Sequence, residues 1–465
     1  MIFDNLFEID KNKKLLDCKF NNSTIPIYLI FRAYLFNIMI TNRLDLETNT
    51  LNNTLLRRTN IHKYLFTTVT RNIFFAPKKD IYMFSSEVLF IKKGKFYKNR
   101  LFKLFDDHFS KISQLISLSG DRLYKSSKRP KVYYQNLIYD LSILIGWFSK
   151  LKPKDKISID LFMQELRLDE NVSLTEKQYE TLYLMLVKTA KRKDFFISAY
   201  DLFFKWKKPK LLILEDAHYL GEKAFILNSA MKNGVATAEF QHGYVGKSHY
   251  AYNFDESLYP ILKEILPTYF FTFGTYWTKQ IRTPVNKIVI GNAHLIDKVK
   301  RLPKTALKGD KLNLLIVSAT QYSNEIIDLC NFFLNRDIHL KYNIVIRPHP
   351  SEKHNFKQRF MSILDKGIIL DFNDDLHQTL KDASIVVALE FTTVLYESIL
   401  FTKKIFLQKT DYSNFYESDP IFISFNDNQD LIRLIMEEQE IDIETNEIWD
   451  TESHSNFNSF LTQIK

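Results

Sequence analysis

Cysteine is almost absent from this chain, because its 465 residues include only Cys18 and Cys330. The two lie far apart and lack Cys-x-x-Cys spacing, so the sequence gives no support for a disulfide framework or a zinc site. We therefore expect a protein of a reducing compartment, the cytoplasm. A content of 45 % hydrophobic and 14 % aromatic residues excludes a disordered chain and is ample for two or three domain cores.

Signals for export and for membrane insertion are also lacking. The opening Met1 to Asn5 has neither the basic segment nor the apolar core of a secretory signal. The apolar run from Ile25 to Ile40 is short, contains Pro26 and carries Arg32, which argues against a transmembrane helix. We expect a buried or surface-lying helix there, with contact at a membrane interface as the alternative.

The charge is unbalanced toward the positive sign, with 64 Lys and Arg against 54 Asp and Glu, a net charge of +10. The lysines are spread along the amino-terminal two thirds instead of being gathered on one recognition helix. Solvated surfaces are the first explanation. Attraction to an anionic membrane or a polyanionic acceptor is the second, and no nucleic-acid partner is expected.

The first part of the chain alternates between strand and helix patterns. Ile81 to Phe84 predicts a short strand that ends at Ser85-Ser86, where a ligand contact is a minority interpretation. From residue 106 to 208 the apolar spacing becomes helical, which predicts a helical insertion within an amino-terminal domain of residues 1–296.

Two later strands of this domain end in polar residues that can move protons. Lys210 to Leu214 ends at Glu215-Asp216, and Val235 to Phe240 ends at Gln241-His242-Gly243. Because the carboxyl ends of neighbouring parallel strands share one edge of a sheet, Asp216 and His242 are candidates for general acid–base catalysis, with Glu215 as a third. The structural alternative is that Asp216 caps the next helix and His242 satisfies backbone groups at a tight turn. Gln241, Gly243 and, after the strand Phe270 to Gly274, Gly274 are further candidates for the cleft.

The second part repeats the strand–helix alternation over residues 311–436, after a charged boundary near residues 297–310. Its strands also end in polar groups, which predicts a crevice for an anionic ligand. Prolines on both sides of His349 hold the Arg347-Pro348-His349-Pro350 turn. The candidate ligand-binding residues are Ser318, Thr320, Arg347, His349, Pro350, Glu390, Thr392, Thr393 and Glu397. Residues 437–465 are predicted to be an acidic and polar tail without chemistry.

These motifs resemble those of bacterial two-domain glycosyltransferases of the GT-B architecture that assemble capsule, lipopolysaccharide or teichoic acid. The likeness covers residues 210–408. Teichoic-acid glycerophosphotransferases have a His-Gly motif in the first half and Arg-x-His-Pro in the second. Bacterial sialyltransferases of this architecture have an acidic base motif, a His-Pro motif for a cytidine nucleotide and a Ser-Ser/Thr motif for its phosphate. The matching positions are Glu215-Asp216, His349-Pro350 and Thr392-Thr393, with Ala217 in place of the family's glycine.

The resemblance implies an α/β protein with two Rossmann-like domains facing a cleft. It implies an inverting, metal-independent glycosyltransferase. Such an enzyme transfers a sugar from a nucleotide-activated donor, such as a CMP-sugar, to a growing glycan or a lipid-linked glycan. No cofactor is expected. Asp216 or His242 is the base, and Arg347, His349, Thr392 and Thr393 meet the charge of the leaving nucleotide. The alternatives are a glycerophosphotransferase, a nucleotide-sugar 2-epimerase and a non-catalytic assembly factor, in the cytoplasm or peripheral on the inner face of the membrane.

The sequence around Arg347 shows no arrangement for a metal. His349 and His354 are five positions apart in a loop, and residues 341–397 contain no Asp-x-Asp that would chelate a divalent ion. The prediction is therefore of a site without a metal, in which basic side chains do the electrostatic work.

Overall fold

The computed structural model describes most of the chain and shows two parallel β-sheets, each flanked by helices. The described residues are 2–41, 66, 69–86, 90–93, 96–101, 103–104, 114–117, 132–302, 311–318, 322–349, 356–364, 366–410, 413 and 421–464. This α/β architecture of two Rossmann-like domains confirms the fold expected from the sequence. Among these residues no helix is both long enough and apolar enough to cross a bilayer.

The first sheet has the strand order β5-β4-β1-β6-β7-β8-β9, and all its described pairings are parallel. A short antiparallel hairpin of β2 and β3 lies outside it. The bounds are β1 Ile81–Ser85, β2 Phe90–Lys93, β3 Phe96–Asn99, β4 Gln114–Ser117, β5 Val132–Tyr134, β6 Leu211–Leu214, β7 Ala236–Phe240, β8 Tyr269–Thr272 and β9 Asn286–Val289.

Helices of the amino-terminal part surround this sheet. The bounds are α1 Ile2–Asp10, α2 Lys13–Asp17, α3 Ile27–Thr41, α4 Asn136–Phe148, α5 Pro153–Leu168, α6 Glu176–Lys207, α7 Lys223–Lys232, α8 Tyr259–Leu262, α9 Thr275–Gln280 and α10 Ala293–Arg301. Helix α3 covers the apolar run predicted to be helical, and most of its side chains are buried in the core.

The predicted helical insertion is only partly helical. Helices α4, α5 and α6 lie within residues 106–208, but β4 and β5 belong to the sheet, and Leu115 pairs with Met83 of β1. The run around Leu115 and Ile116 has helical spacing in the sequence. So short an apolar run fits a buried strand equally well, and its position beside β1 decides the outcome.

The second sheet has the order β12-β11-β10-β13-β14-β15 and is also parallel throughout its described pairings. The bounds are β10 Leu312–Val317, α11 Ser323–Asn335, α12 Ile338–Lys341, β11 Tyr342–Arg347, α13 Phe356–Arg359, α14 Met361–Leu364, β12 Ile369–Leu370, α15 Leu376–Asp382, β13 Ala383–Ala388, α16 Thr393–Ser398, β14 Ile405–Gln408, β15 Ile423–Phe425 and α17 Asn428–Met436. A separate apolar cluster forms its core.

The carboxyl-terminal segment returns to the first sheet and is not a solvated tail. It contains α18 Thr445–Ile448 and α19 Ser453–Gln463, and Phe457 and Phe460 of α19 pack on Phe271 of β8. Trp449 is also buried, against Phe273. In the sequence, large apolar residues are spaced between the acidic side chains of this segment. The charge of the segment alone therefore predicted a solvated environment, which is wrong.

Candidate functional site

Asp216 and His242 lie side by side at the carboxyl edge of the first sheet. Strands β6 and β7 are adjacent and parallel, so the residues that follow them meet at one edge. His242 Nδ1 is 3.2 Å from Asp216 Oδ1, and Lys223 Nζ is 3.6 Å from Asp216 Oδ2. The structure thus brings the two candidate bases into direct contact.

The backbone of Asp216 shows that this position is not an ordinary helix cap. Its φ of 53° lies in the left-handed region, and its side chain makes no capping hydrogen bond. A non-glycine residue in this region is uncommon, and such residues are enriched at functional sites. The capping alternative raised from the sequence is therefore wrong.

His242 also does not act as a satisfied turn residue. Its Nδ1 and Asp216 Oδ1 are both out of contact with water, yet neither has a hydrogen-bond partner among the described residues. The 3.2 Å approach is therefore a close contact whose geometry is not that of a hydrogen bond. Catalytic hydrogen bonds are often loose in ligand-free structures and tighten when substrate binds.

Glu215 is held more firmly than its neighbours. Its carboxylate accepts hydrogen bonds from the backbone N–H and, at 2.9 Å, from the hydroxyl of Ser86, which follows β1. Burial and then the charge of Asp216 raise the pKa of Glu215, while the Ser86 hydrogen bonds act in the opposite direction. These contacts fit a residue that positions the edge of the sheet better than a mobile base.

Arg100 is a site residue that the sequence analysis missed. Its Nη2 donates to the backbone carbonyl of His242 at 3.1 Å. Burial lowers the pKa of Arg100, and the nearby charges of Glu397 and Glu215 partly oppose that shift. The guanidinium therefore lies between the carboxylates of the two halves. It is a lone arginine after β3, in a stretch rich in lysine, so no motif marked it.

A buried polar network lies beneath this edge. Glu239 of β7 is fully buried and accepts from the hydroxyl of Tyr252 at 2.8 Å and from the backbone N–H of His218 at 2.9 Å. The ring Nδ1 of His218 also contacts it. Because buried carboxylates need such partners, the network fixes the loop that carries Tyr252 against the sheet.

One set of side chains near this edge has the spacing of a metal site. Asp216, Glu239 and His242 each offer a ligand atom within 4.8 Å of the others. No pattern in the sequence marks this set, because its members come from two strand ends and one strand interior. The oxygens of Glu239 already accept hydrogen bonds, and the positive charges of Lys223 and Arg100 lie close by, which disfavours a cation there.

Arg347 takes a structural role in the second sheet. Its guanidinium forms an ion pair with Asp371 and donates to Thr379 Oγ1 at 2.7 Å and to the carbonyl of Asn373 at 2.9 Å. The side chain is buried, and all of these contacts lie within the second half. The charge predicted to meet a nucleotide phosphate is thus neutralised within the sheet, since Asp371 follows the neighbouring β12.

Two further candidates, His349 and Ser318, lie near the carboxyl end of β11. His349 is exposed beyond β11, and the backbone N–H of Ser318 donates to the carbonyl of Arg347 at 2.9 Å. Pro350 and Thr320 lie outside the described residues. His349 is therefore the motif residue best placed to contact a ligand.

The Glu-Phe-Thr-Thr segment opens α16 as predicted. Thr392 caps this short helix by accepting from the backbone N–H of Val394, and Thr393 is exposed. Glu390 is half-buried. Glu397 Oε2 lies 2.6 Å from His377 Nε2, so its carboxylate is in contact with a side chain of the second half.

Aromatic contacts connect the segment after β7, which carries His242, with the start of α16. Tyr244, two residues after His242, packs nearly perpendicular to Phe391 with ring centroids 4.9 Å apart. Tyr396 of α16 lies beneath them and contacts Trp277 of the first half at 4.7 Å. The carboxyl edges of the two sheets therefore face one another across the site.

Two of the predicted cleft residues are structural. Gln241 donates to the carbonyl of Gly243 and accepts from the backbone N–H of Phe273, both at 2.9 Å, so each end of its amide makes a hydrogen bond within the first half. Gly274 is buried, and a Cβ there would overlap the carbonyl of Glu447 in α18 of the carboxyl-terminal segment. Gly243 has open space around it and stays a candidate.

Comparisons with known proteins give no family. No protein-family model and no curated protein matches the sequence. Among solved structures, one assigned as a UDP-N-acetylglucosamine 2-epimerase from Listeria monocytogenes is similar, with 12 % identity, 83 % of this chain and 96 % of that chain covered, and a TM-score of 0.45.

Two further solved structures are similar with lower TM-scores. The Neisseria meningitidis UDP-GlcNAc 2-epimerase bound to UDP-GlcNAc has 10 % identity, 82 % and 99 % coverage and a TM-score of 0.40. A UDP-forming α,α-trehalose-phosphate synthase from Burkholderia xenovorans has 11 % identity, 83 % and 96 % coverage and a TM-score of 0.37. At these values the likenesses do not identify a reaction or a ligand.

Proposed function

We propose that this protein is a nucleotide-sugar-dependent enzyme, an inverting glycosyltransferase that works without a metal in the assembly of a surface glycan. The observation that carries the proposal is the Asp216–His242 pair, which stands at the carboxyl edge of one Rossmann-like sheet and faces the edge of the other. A crevice at the ends of parallel strands is where α/β folds bind their ligands.

In the proposed mechanism Asp216 and His242 have different roles. Asp216 orients the His242 ring through Nδ1, which leaves Nε2 to take the proton of an acceptor hydroxyl. The acceptor oxygen then forms a bond to the anomeric carbon as the bond from that carbon to the nucleotide phosphate breaks, and the single displacement inverts the centre. The nucleotide leaves with the electron pair of the broken bond.

The charges around the pair favour an anionic leaving group. Arg100 and Lys223 lie on the first-sheet side, and His349 lies at the end of β11 on the other. Fixed cations stabilise negative charge that develops in a transition state, especially where water is excluded. We assign this role to Arg100 and Lys223 in place of Arg347, whose charge Asp371 neutralises, and we assign His349 a contact with the nucleotide.

The first test is nucleotide binding. A thermal-shift screen against CMP, CDP, UDP, GDP and dTDP identifies which nucleotide the protein binds. A ligand of the native state raises apparent stability in proportion to ln(1 + [L]/Kd). Incubating the matching nucleotide sugars with and without a glycan acceptor then distinguishes transfer from epimerisation. Epimerised sugar without any acceptor would favour the 2-epimerase alternative, and transfer from CDP-glycerol would favour the glycerophosphotransferase.

The second test is the pair itself. We expect His242→Ala to lower kcat about 10²- to 10⁴-fold, the usual range for a general base, and Asp216→Asn to lower it as well. The matched control is Glu256→Gln, which removes the charge of an exposed carboxylate in the same half. This variant should leave kcat unchanged. Activity should persist in excess EDTA. If neither site change lowers kcat more than about tenfold, the catalytic edge is misplaced.

A further inference from the structure

Helix α4 (Asn136–Phe148) has one side packed against the rest of the protein and a neighbouring apolar side that is largely exposed. Ile138, Ser142 and Gly146 are buried on the side that faces α6. A Cβ at Gly146 would come within 2.7 Å of Arg192 Cγ, and Arg192 Nε donates to Ser142 Oγ at 3.2 Å. This close packing fixes which side of α4 is turned outward.

The outward side is a continuous apolar stripe. Leu141, Leu144, Ile145 and Phe148 are exposed and recur at the spacing of one helix face, which the half-buried Leu137 continues, and the exposed Trp147 precedes Phe148 in the chain. Phe148 is 83 % exposed and Trp147 is 68 % exposed. Single exposed apolar residues are ordinary, but a stripe of this length marks an interaction surface.

Lysines follow the aromatic end of this helix. Lys150, Lys154 and Lys156 are exposed, and none has a carboxylate within ion-pair distance among the described residues. In the same stretch Lys152 pairs with Asp194, and the buried Asp155 lies near Lys193. The acidic residue of α4, Asp140, is eight positions from Phe148, about 12 Å along the helix axis.

We propose that α4 and the lysines of residues 150–156 bind the surface of an anionic phospholipid bilayer. Trp147 and Phe148 enter the interfacial layer, where aromatic rings are favoured, and the lysines contact the anionic headgroups. A protein partner fits this surface less well, because protein–protein interfaces are depleted in lysine. The inference does not depend on the proposed enzymatic function.

Vesicle flotation of the full-length protein tests the proposal. The protein should float with vesicles of phosphatidylcholine containing about one third phosphatidylglycerol and much less with phosphatidylcholine alone. The double variant Trp147→Ser/Phe148→Ser should reduce binding to the anionic vesicles at least tenfold. The matched control is Leu340→Ser/Met361→Ser, which removes two similarly exposed apolar side chains of the second domain and should bind like the parent.

The lysines give an independent measurement. The triple variant Lys150→Ser/Lys154→Ser/Lys156→Ser should bind anionic vesicles more weakly at about 0.1 M salt. That deficit should shrink at about 0.5 M salt, because screening suppresses the charge contribution of the parent. Circular dichroism spectra identical to those of the parent show that each variant is folded.

Three results would overturn the proposal. The first is that the parent does not float with anionic vesicles. The second is that the Trp147→Ser/Phe148→Ser variant floats as well as the parent. The third is a dimeric parent that does not bind vesicles and that the same double variant converts to a monomer, in which case a second copy of the chain occupies the stripe.

Discussion

Arg32 and Asp10 form a buried ion pair that connects the amino-terminal helices to the candidate site. Arg32 Nε and Nη2 approach the two oxygens of Asp10 at 2.6 and 2.7 Å, and both side chains are buried. The same guanidinium donates to the carbonyls of Tyr250 and Asn253 at 2.6 and 2.9 Å. These two residues belong to the loop that starts at His242, so removal of Arg32 acts on the fold and on the site together.

The size of the effect follows from what the substitution leaves behind. Arg32→Met keeps the apolar stem of the side chain but leaves the carboxylate of Asp10 buried, with the Tyr28 hydroxyl and the Asp255 backbone N–H as its described donors. Breaking a buried pair in this way costs about 3–5 kcal/mol. For a domain of this size each kcal/mol lowers Tm by about 2–4 °C, so we expect a fall of roughly 6–20 °C.

The assay is thermal unfolding at neutral pH, followed by circular dichroism. The double variant Arg32→Met/Asp10→Asn should lose less than the two single changes added together, because it removes the uncompensated charge. Arg167→Met is the matched control, since Arg167 holds Glu176 with two similar hydrogen bonds on the exposed surface and should barely change Tm. Equal shifts for Arg32→Met and Arg167→Met would refute the reasoning.

Two further predictions concern the pH dependence of stability and the returning segment. Burial first, and then the charge of His242, lower the pKa of His249 from 6.5 to about 4, so about 3 kcal/mol of stability present above pH 6.5 is lost as the pH falls through 4. His249→Gln should flatten that part of the stability profile measured by denaturant titration, and an unchanged slope would contradict the assignment. Gly274→Ala should destabilise by at least about 1–3 kcal/mol, because its Cβ overlaps Glu447, whereas Gly243→Ala has room and should unfold like the parent in the same titration.

The strands that carry the site could be predicted closely from the sequence. Lys210 to Leu214 predicted a strand that the structure places at Leu211–Leu214, and Ser384 to Leu389 predicted one observed at Ala383–Ala388. Such runs are buried on both faces of a parallel sheet and end at breaker or polar residues, which makes their limits visible locally. The contact of Asp216 with His242 then follows from neighbouring strands that end at one edge.

The role of Arg347 could not be predicted in the same way. Its partner Asp371 lies 24 positions later and follows β12, which is only two residues long. Whether an arginine at a strand end meets a ligand or a carboxylate depends on which strand becomes its neighbour. Arg100 is the converse case, because no pattern marks it and its place in the site follows only from its contact with the His242 carbonyl and its nearness to Glu397.

The relative position of the two candidate edges depends on residues more than 200 positions from His242. Trp449 Nε1 donates to the carbonyl of Tyr396 at 2.7 Å, and the neighbouring Ile448 carbonyl accepts from Trp277 Nε1 at 2.9 Å. The returning segment thus holds α16 of the second half and α9 of the first through consecutive residues. Because Tyr396 and Trp277 also pack on Tyr244, the same few contacts set the distance between His242 and the α16 edge. Catalysis that needs groups from both sheets within hydrogen-bond reach therefore requires this segment to stay docked, although it carries no catalytic side chain itself.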